Sequence, residues 1–179
     1  MKAKQNHSKI YQVLLLALIP VIFSGFMACG GTAELDYEAE AKKLQTEVKG
    51  WDKWKQHKDF SGIQKSEDGT HGGFVAIYMN DTAAGAQGKL NGSFPNGSIF
   101  VKRGYDDKDG KKPKAWVTIM KKIDGSDPDN GNWFTMSLTD DGKLSKYTKS
   151  DKGGCMGCHA KYKGEHDYIG MMKEGKFTF

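Results

Sequence analysis

Cysteine and proline are scarce in this chain, at three and four of its 179 residues. Three cysteines cannot build the dense disulfide framework that small secreted domains use in place of a core. All four prolines (Pro20, Pro95, Pro113 and Pro128) precede Cys155. Nothing therefore supplies the proline that a thioredoxin-like fold sets opposite its C-x-x-C pair. No stripe of basic residues interleaved with aromatics appears, so nucleic acid is not an expected partner. The apolar run from Val13 to Phe23 is too short to span a bilayer as a helix.

That run belongs instead to an export signal. Lys2, Lys4 and Lys9 precede it, and small residues with Cys29 follow it, the order of a secretory leader. Phe26-Met27-Ala28-Cys29 has the form of a lipoprotein cleavage box, departing at Phe26 where leucine is commoner. The expectation is a leader over 1–28, a lipid anchor on Cys29 and a tether over 29–36. Gly30 after the anchor favours the outer membrane, facing the periplasm. Removing the leader leaves 151 residues, enough for one domain with a core over 37–179. Leader lysines also inflate the charge. The remainder carries 24 basic against 22 acidic residues, a net +2.

The densest chemistry stands late in the sequence, in Cys155-Met156-Gly157-Cys158-His159. Zinc would need a fourth ligand and a second knuckle. Cys29, His7, His57, His71 and His166 form none. A dithiol redox centre would open a helix early in a βαβ pattern, with more strands to follow. Two buried structural cysteines beside a chance histidine are the plainest alternative. In an exported protein the C-x-x-C-H motif favours one covalent haem c, both thiols bonding its vinyl groups and His159 binding its iron. Cysteine use then closes: one for lipid, two for haem.

Tyr37, Ala41, Leu44, Val48 and Trp51 recur at helical intervals, and Gly50 marks the end of that helix. Segments 73–80, 98–105, 115–123 and 132–139 are rich in β-branched and aromatic residues, with turn-rich pieces between them. A short helix is expected at "DTAAGAQGK" with Asp81 as N-cap. The acidic loop of Asp124, Asp127 and Asp129 lacks calcium-loop spacing and reads as a solvated hairpin. A four-helix bundle would need helical periodicity where strands stand. The expected fold is α+β: a mostly antiparallel sheet with an N-terminal helix and a C-terminal haem-binding helix.

In the order "GWDKWKQHKDF", "GFVAIYMNDTAA", "FPNGSIFVK", "NGNWF" and "CMGCHAKYKGEHDY", the sequence resembles the cytochrome P-460 and cytochrome c′-beta family. The resemblance spans roughly everything after the leader. It implies a β-sheet fold, one covalent haem, His159 as proximal ligand and a five-coordinate iron open to small molecules. In hydroxylamine-oxidising members a lysine at the place of Lys102 is cross-linked to the haem edge. In c′-beta members phenylalanines crowd the distal face, and nitric oxide or another gas binds there.

Strand alternation lets Lys102 share a face with Phe100 and Ser98, away from Ile99 and Val101. An exposed lysine beside Arg103 is the ordinary alternative. Phe74 and Phe94 are further candidates for the distal wall, and core packing explains them equally well. Hydroxylamine oxidation needs a proton acceptor. Asp151, in the segment before the cysteines, is the nearest match, though a solvated loop aspartate reads the same. His71 or Met120 opposite His159 would make a six-coordinate electron-transfer haem instead. The expected partners are nitric oxide or hydroxylamine, a redox protein and, through lipid, a membrane. A homodimer is left open.

Overall fold

Strands β2 (Phe74–Met79), β3 (Ile99–Tyr105), β4 (Pro113–Lys122) and β5 (Trp133–Thr139), with the two-residue β1 (Gln64–Lys65), form one antiparallel sheet in sequence order. The computed structural model describes residues 35–86, 92–145, 154–164 and 166–170, and the backbone of 172–173 and 176–177. The expected leader over 1–28, Cys29 and Asp151 lie outside the described residues. Helix α1 (Tyr37–Glu47) precedes the sheet, α2 (Asp81–Gly85) follows β2, and α3 (Gly154–His159) follows β5. A second pair, β6 (Met172–Lys173) and β7 (Lys176–Phe177), lies last among the described residues. The expected α+β architecture is thus met, with a C-terminal helix of only six residues.

Pleating gives the sheet two faces, and each carries its own core. Ile99, Val101, Val117, Ile119, Phe134 and Met136 turn to one side and bury Ala41, Leu44 and Val48 of α1. Ile77, Met79, Phe100, Met120 and Trp133 turn to the other, where Met156 of α3 joins them. Asp36 caps α1 by accepting from the Ala39 N–H at 3.0 Å, and Glu38 and Glu40 favour its positive N-terminal end. Gly50, at φ +77°, ends the helical stretch as expected.

The cap of α2 differs from expectation. Asn80, not Asp81, accepts the Ala83 N–H at 3.0 Å, and Asp81 is the first helical residue. Asn80 also donates to the Gly97 carbonyl and accepts from the Ile99 N–H. An amide can do both, which a carboxylate cannot. The acidic loop joins β4 to β5 through a short turn of helix at Pro128–Asn130, and Asn130 donates to Asp127 within it.

One contact fixes the loop before β2. The β3–β4 register shifts between Arg103 and Tyr105, the mark of a β-bulge. At Gly104 in that bulge a Cβ would collide with the His71 carbonyl oxygen. A Cβ on Gly72, at φ +120°, would stand only 2.7 Å from the Tyr105 carbonyl oxygen. Two glycines therefore let the His71 backbone lie directly against β3.

Candidate functional site

Helix α3 places its three reactive side chains by simple geometry. Positions i, i+3 and i+4 share a helical face, so Cys155, Cys158 and His159 point together. Met156 is 2% exposed and buries the opposite side in the core. Both thiols are free and exposed, as covalent attachment to an incoming group requires. All three residues line one cavity of about 590 Å³, within the roughly 300–1,000 Å³ of cofactor sites. Its other wall is the sheet face, bearing Ile77, Phe100, Lys102, Thr118 and Met120. His71 and Asp68 close it from the loop before β2.

His159 is held by its back. Its Nδ1 donates to the Tyr168 carbonyl at 2.7 Å, which leaves Nε2 with the lone pair a metal needs. Burial, with the charge of Lys102 adding to it, lowers the His159 imidazole to about 4, against the Tyr168 hydrogen bond. His71 falls further, to about 3, again chiefly by burial and then by Lys102. Both rings are therefore neutral at physiological pH, the form that coordinates metals. The ring centroids of His71 and His159 are 6.4 Å apart. His71 Nδ1 faces the Thr118 hydroxyl at 3.4 Å.

Lys102 enters the cavity, pairing with Ile77 and Thr118 across the ladders. Burial lowers its ammonium to about 8, opposed by Asp68 and Cys158. About a tenth of the amine is then neutral at pH 7, far more than for an ordinary lysine, and the neutral amine is the nucleophilic form. Phe100 shares its side of β3, while Ile99 and Val101 pack under α1. Ser98 is wholly buried but does not line the cavity. Phe94 stands behind Phe100 with ring centroids 4.9 Å apart, a supporting position rather than a wall. Phe74 is half-buried on β2 and does not line the cavity.

The support of the histidine is less legible in sequence. Tyr168 follows Asp167, whose carboxylate pairs with Lys122 Nζ at 2.8 and 2.9 Å. The Asp167 carboxylate also accepts the Phe94 N–H at 2.7 Å, and its carbonyl accepts Trp133 Nε1–H at 2.8 Å. Asp167 and Tyr168 take positive φ, at 42° and 67°, a conformation that surrounding contacts must hold. Lys122 and Asp167 lie 45 residues apart, and no motif links them.

Two thiols, a pre-oriented imidazole and a mostly apolar cavity of this size are a donor set that fits a covalently attached haem. A family model described as Cytochrome P460 matches residues 48–170, which takes in the sheet, α3 and the Tyr168 segment. No curated protein matches the sequence. The protein is a haem cytochrome, and the chain belongs to the cytochrome P460 family.

Proposed function

We propose that this protein is an exported, lipid-anchored cytochrome with one haem c, and that it takes up small ligands such as nitric oxide at the iron. The observation that carries this reading is the meeting of Cys155, Cys158 and His159 with the Phe100 side of the sheet around a single cavity. Bound there through the two thiols, the haem would supply an iron able to bind diatomic molecules and exchange one electron. The protein's own part is to hold His159 in one tautomer and to line the remaining space. Ile77, Phe100 and Met120 shed water from it, which favours a neutral diatomic ligand over a hydrated ion. Addition of nitric oxide to the reduced holoprotein should change its absorption spectrum stoichiometrically. A spectrum indifferent to nitric oxide in both redox states would reject ligand uptake and leave electron transfer to a redox protein.

Lys102 favours a second reading. Its partly neutral amine in the same cavity suits a cross-link to the haem edge and oxidation of hydroxylamine, with Asp151 as proton acceptor. Mass spectrometry of the haem peptide decides it. A third covalent attachment, mapped to Lys102, is expected of that activity, and two attachments alone exclude it.

Location follows from the leader. Cys29 is proposed to carry lipid that tethers the domain to the periplasmic side of the outer membrane. Cys29→Ser should then move the protein from the membrane fraction to the soluble periplasm. Identical fractionation of the variant and the parent would reject the anchor. Dimerisation is likewise a proposal, and measuring the protein's mass in solution tests it.

A further inference from the structure

We infer that His71 is the second axial ligand of the haem iron, facing His159, so that the resting protein is six-coordinate and exogenous ligands enter only by displacing it. The inference rests on the haem c reading above and departs from the five-coordinate iron that the resemblance implies. Three observations carry it.

The first is spacing. A metal–imidazole bond is about 2 Å, and a five-membered ring places its nitrogen about 1.1 Å from its centroid. Two imidazoles on opposite sides of one metal therefore have centroids about 6.3 Å apart. His71 and His159 stand at 6.4 Å. Edge-to-face packing of two rings spans about 4.5–7 Å, so this spacing is compatible with a shared metal and gains its weight from the two observations that follow.

The second is the choice of nitrogen. His159 Nδ1 donates to the Tyr168 carbonyl at 2.7 Å, and His71 Nδ1 faces Thr118 Oγ1 at 3.4 Å. Each ring thus engages protein through Nδ1 and keeps Nε2 for another partner, the arrangement by which a supporting hydrogen bond fixes a metal-binding imidazole.

The third is construction. His71 sits in a connecting loop, yet its backbone is pressed onto β3 where Gly104 leaves room for no Cβ. The same loop is tied to the segment after α3 by Lys161 and Asp68 at 3.2 Å. The two histidines are therefore held by elements that are themselves joined, and the His71 position is built into the fold.

The holoprotein, matured with covalent haem, provides the test. Ferric protein should be low-spin, with the near-infrared magnetic circular dichroism of two imidazole ligands. Its electron paramagnetic resonance should be strongly anisotropic, because the ring planes lie 75° apart. His71→Ala should convert the ferric iron to high-spin, and added imidazole should restore the low-spin form. Nitric oxide uptake should saturate with concentration in the parent, where release of His71 limits it, and become linear in His71→Ala. Gly104→Ala should give a mixture of spin states, since the loop must retreat from β3.

High-spin iron in the parent would overturn the inference while leaving the haem c reading intact. A low-spin spectrum unchanged in His71→Ala, or one with a methionine signature pointing to Met120, would overturn it as well. The dichroism of the parent alone identifies the ligand pair, so the test survives a variant that fails to fold. Absence of covalent haem in the parent would instead reject the reading on which the inference rests.

Discussion

Replacing both thiols, Cys155→Ala with Cys158→Ala, will yield a protein from which acidified acetone removes every trace of haem. Two thioether bonds survive acid and denaturation, whereas a histidine–iron bond does not, because acid protonates the imidazole and unfolding disperses the cavity. With both cysteines gone, only the imidazole of His159, that of His71 on the inference above, and packing against the sheet face would hold the group. Either single substitution leaves one thioether, so most pigment should stay with the polypeptide and its absorption should shift as one vinyl group is restored. Extraction followed by spectroscopy of the two phases is the measurement. Haem that leaves the unsubstituted protein in acid would show that the thiols do not bond it.

Asp167→Ala will destabilise the fold by about 3–5 kcal/mol, a large share of the roughly 5–15 kcal/mol that holds a domain together. The side chains of Lys122 and Asp167 are 5% and 6% exposed, so removing the carboxylate leaves an ammonium buried with no counter-charge. The Phe94 N–H loses its acceptor in the same step. Lys122 also lies 5.0 Å over the Trp133 ring, a contact the substitution leaves in place. A paired replacement, Lys122→Met with Asp167→Leu, removes both charges and should recover the buried-charge part of the loss, while the Phe94 N–H stays unpaired and Leu meets the positive φ of that position. Denaturant titration of all three proteins measures this. A loss under about 1 kcal/mol in Asp167→Ala, the range of exposed pairs, would show that water reaches Lys122. The haem spectrum should respond too, since the next residue's carbonyl orients His159.

The sheet was legible because its signals are local. Segments 73–80, 98–105, 115–123 and 132–139 match β2 to β5 to within two residues, since β-branched and aromatic alternation is read within each strand. The face of Lys102 followed from the same alternation. The Asn80 cap did not, because Asn80 and Asp81 are both good caps and tertiary bonds to Gly97 and Ile99 made the choice. Lys121 and Lys122 carry no signal of their burial in the sequence. A pair of lysines at a strand end reads as solvated, yet Lys121 reaches Glu40 and Glu47 of α1 on one face while Lys122 reaches Asp167 on the other. Each was buried by a partner tens of residues away. Gly104 was silent for the same reason, its meaning lying in the His71 carbonyl that crosses it.

Each strand of the five-stranded sheet pairs with its neighbour in sequence, and this has a bearing on the order of assembly. Such pairings close short loops, whose entropic cost is small, so the sheet can form early. The cavity wall of Ile77, Phe100 and Lys102 then exists before α3 docks on it. With α3 docked on that wall, Cys155 and Cys158 stay free and exposed, within reach of an incoming group. A haem bonded to both thiols would be fixed covalently to α3 and would pack, without a bond, against a sheet already made. The haem would then be the last piece to join the fold, entering between a sheet and a helix that Met156 and the Asp167–Lys122 pair already hold together.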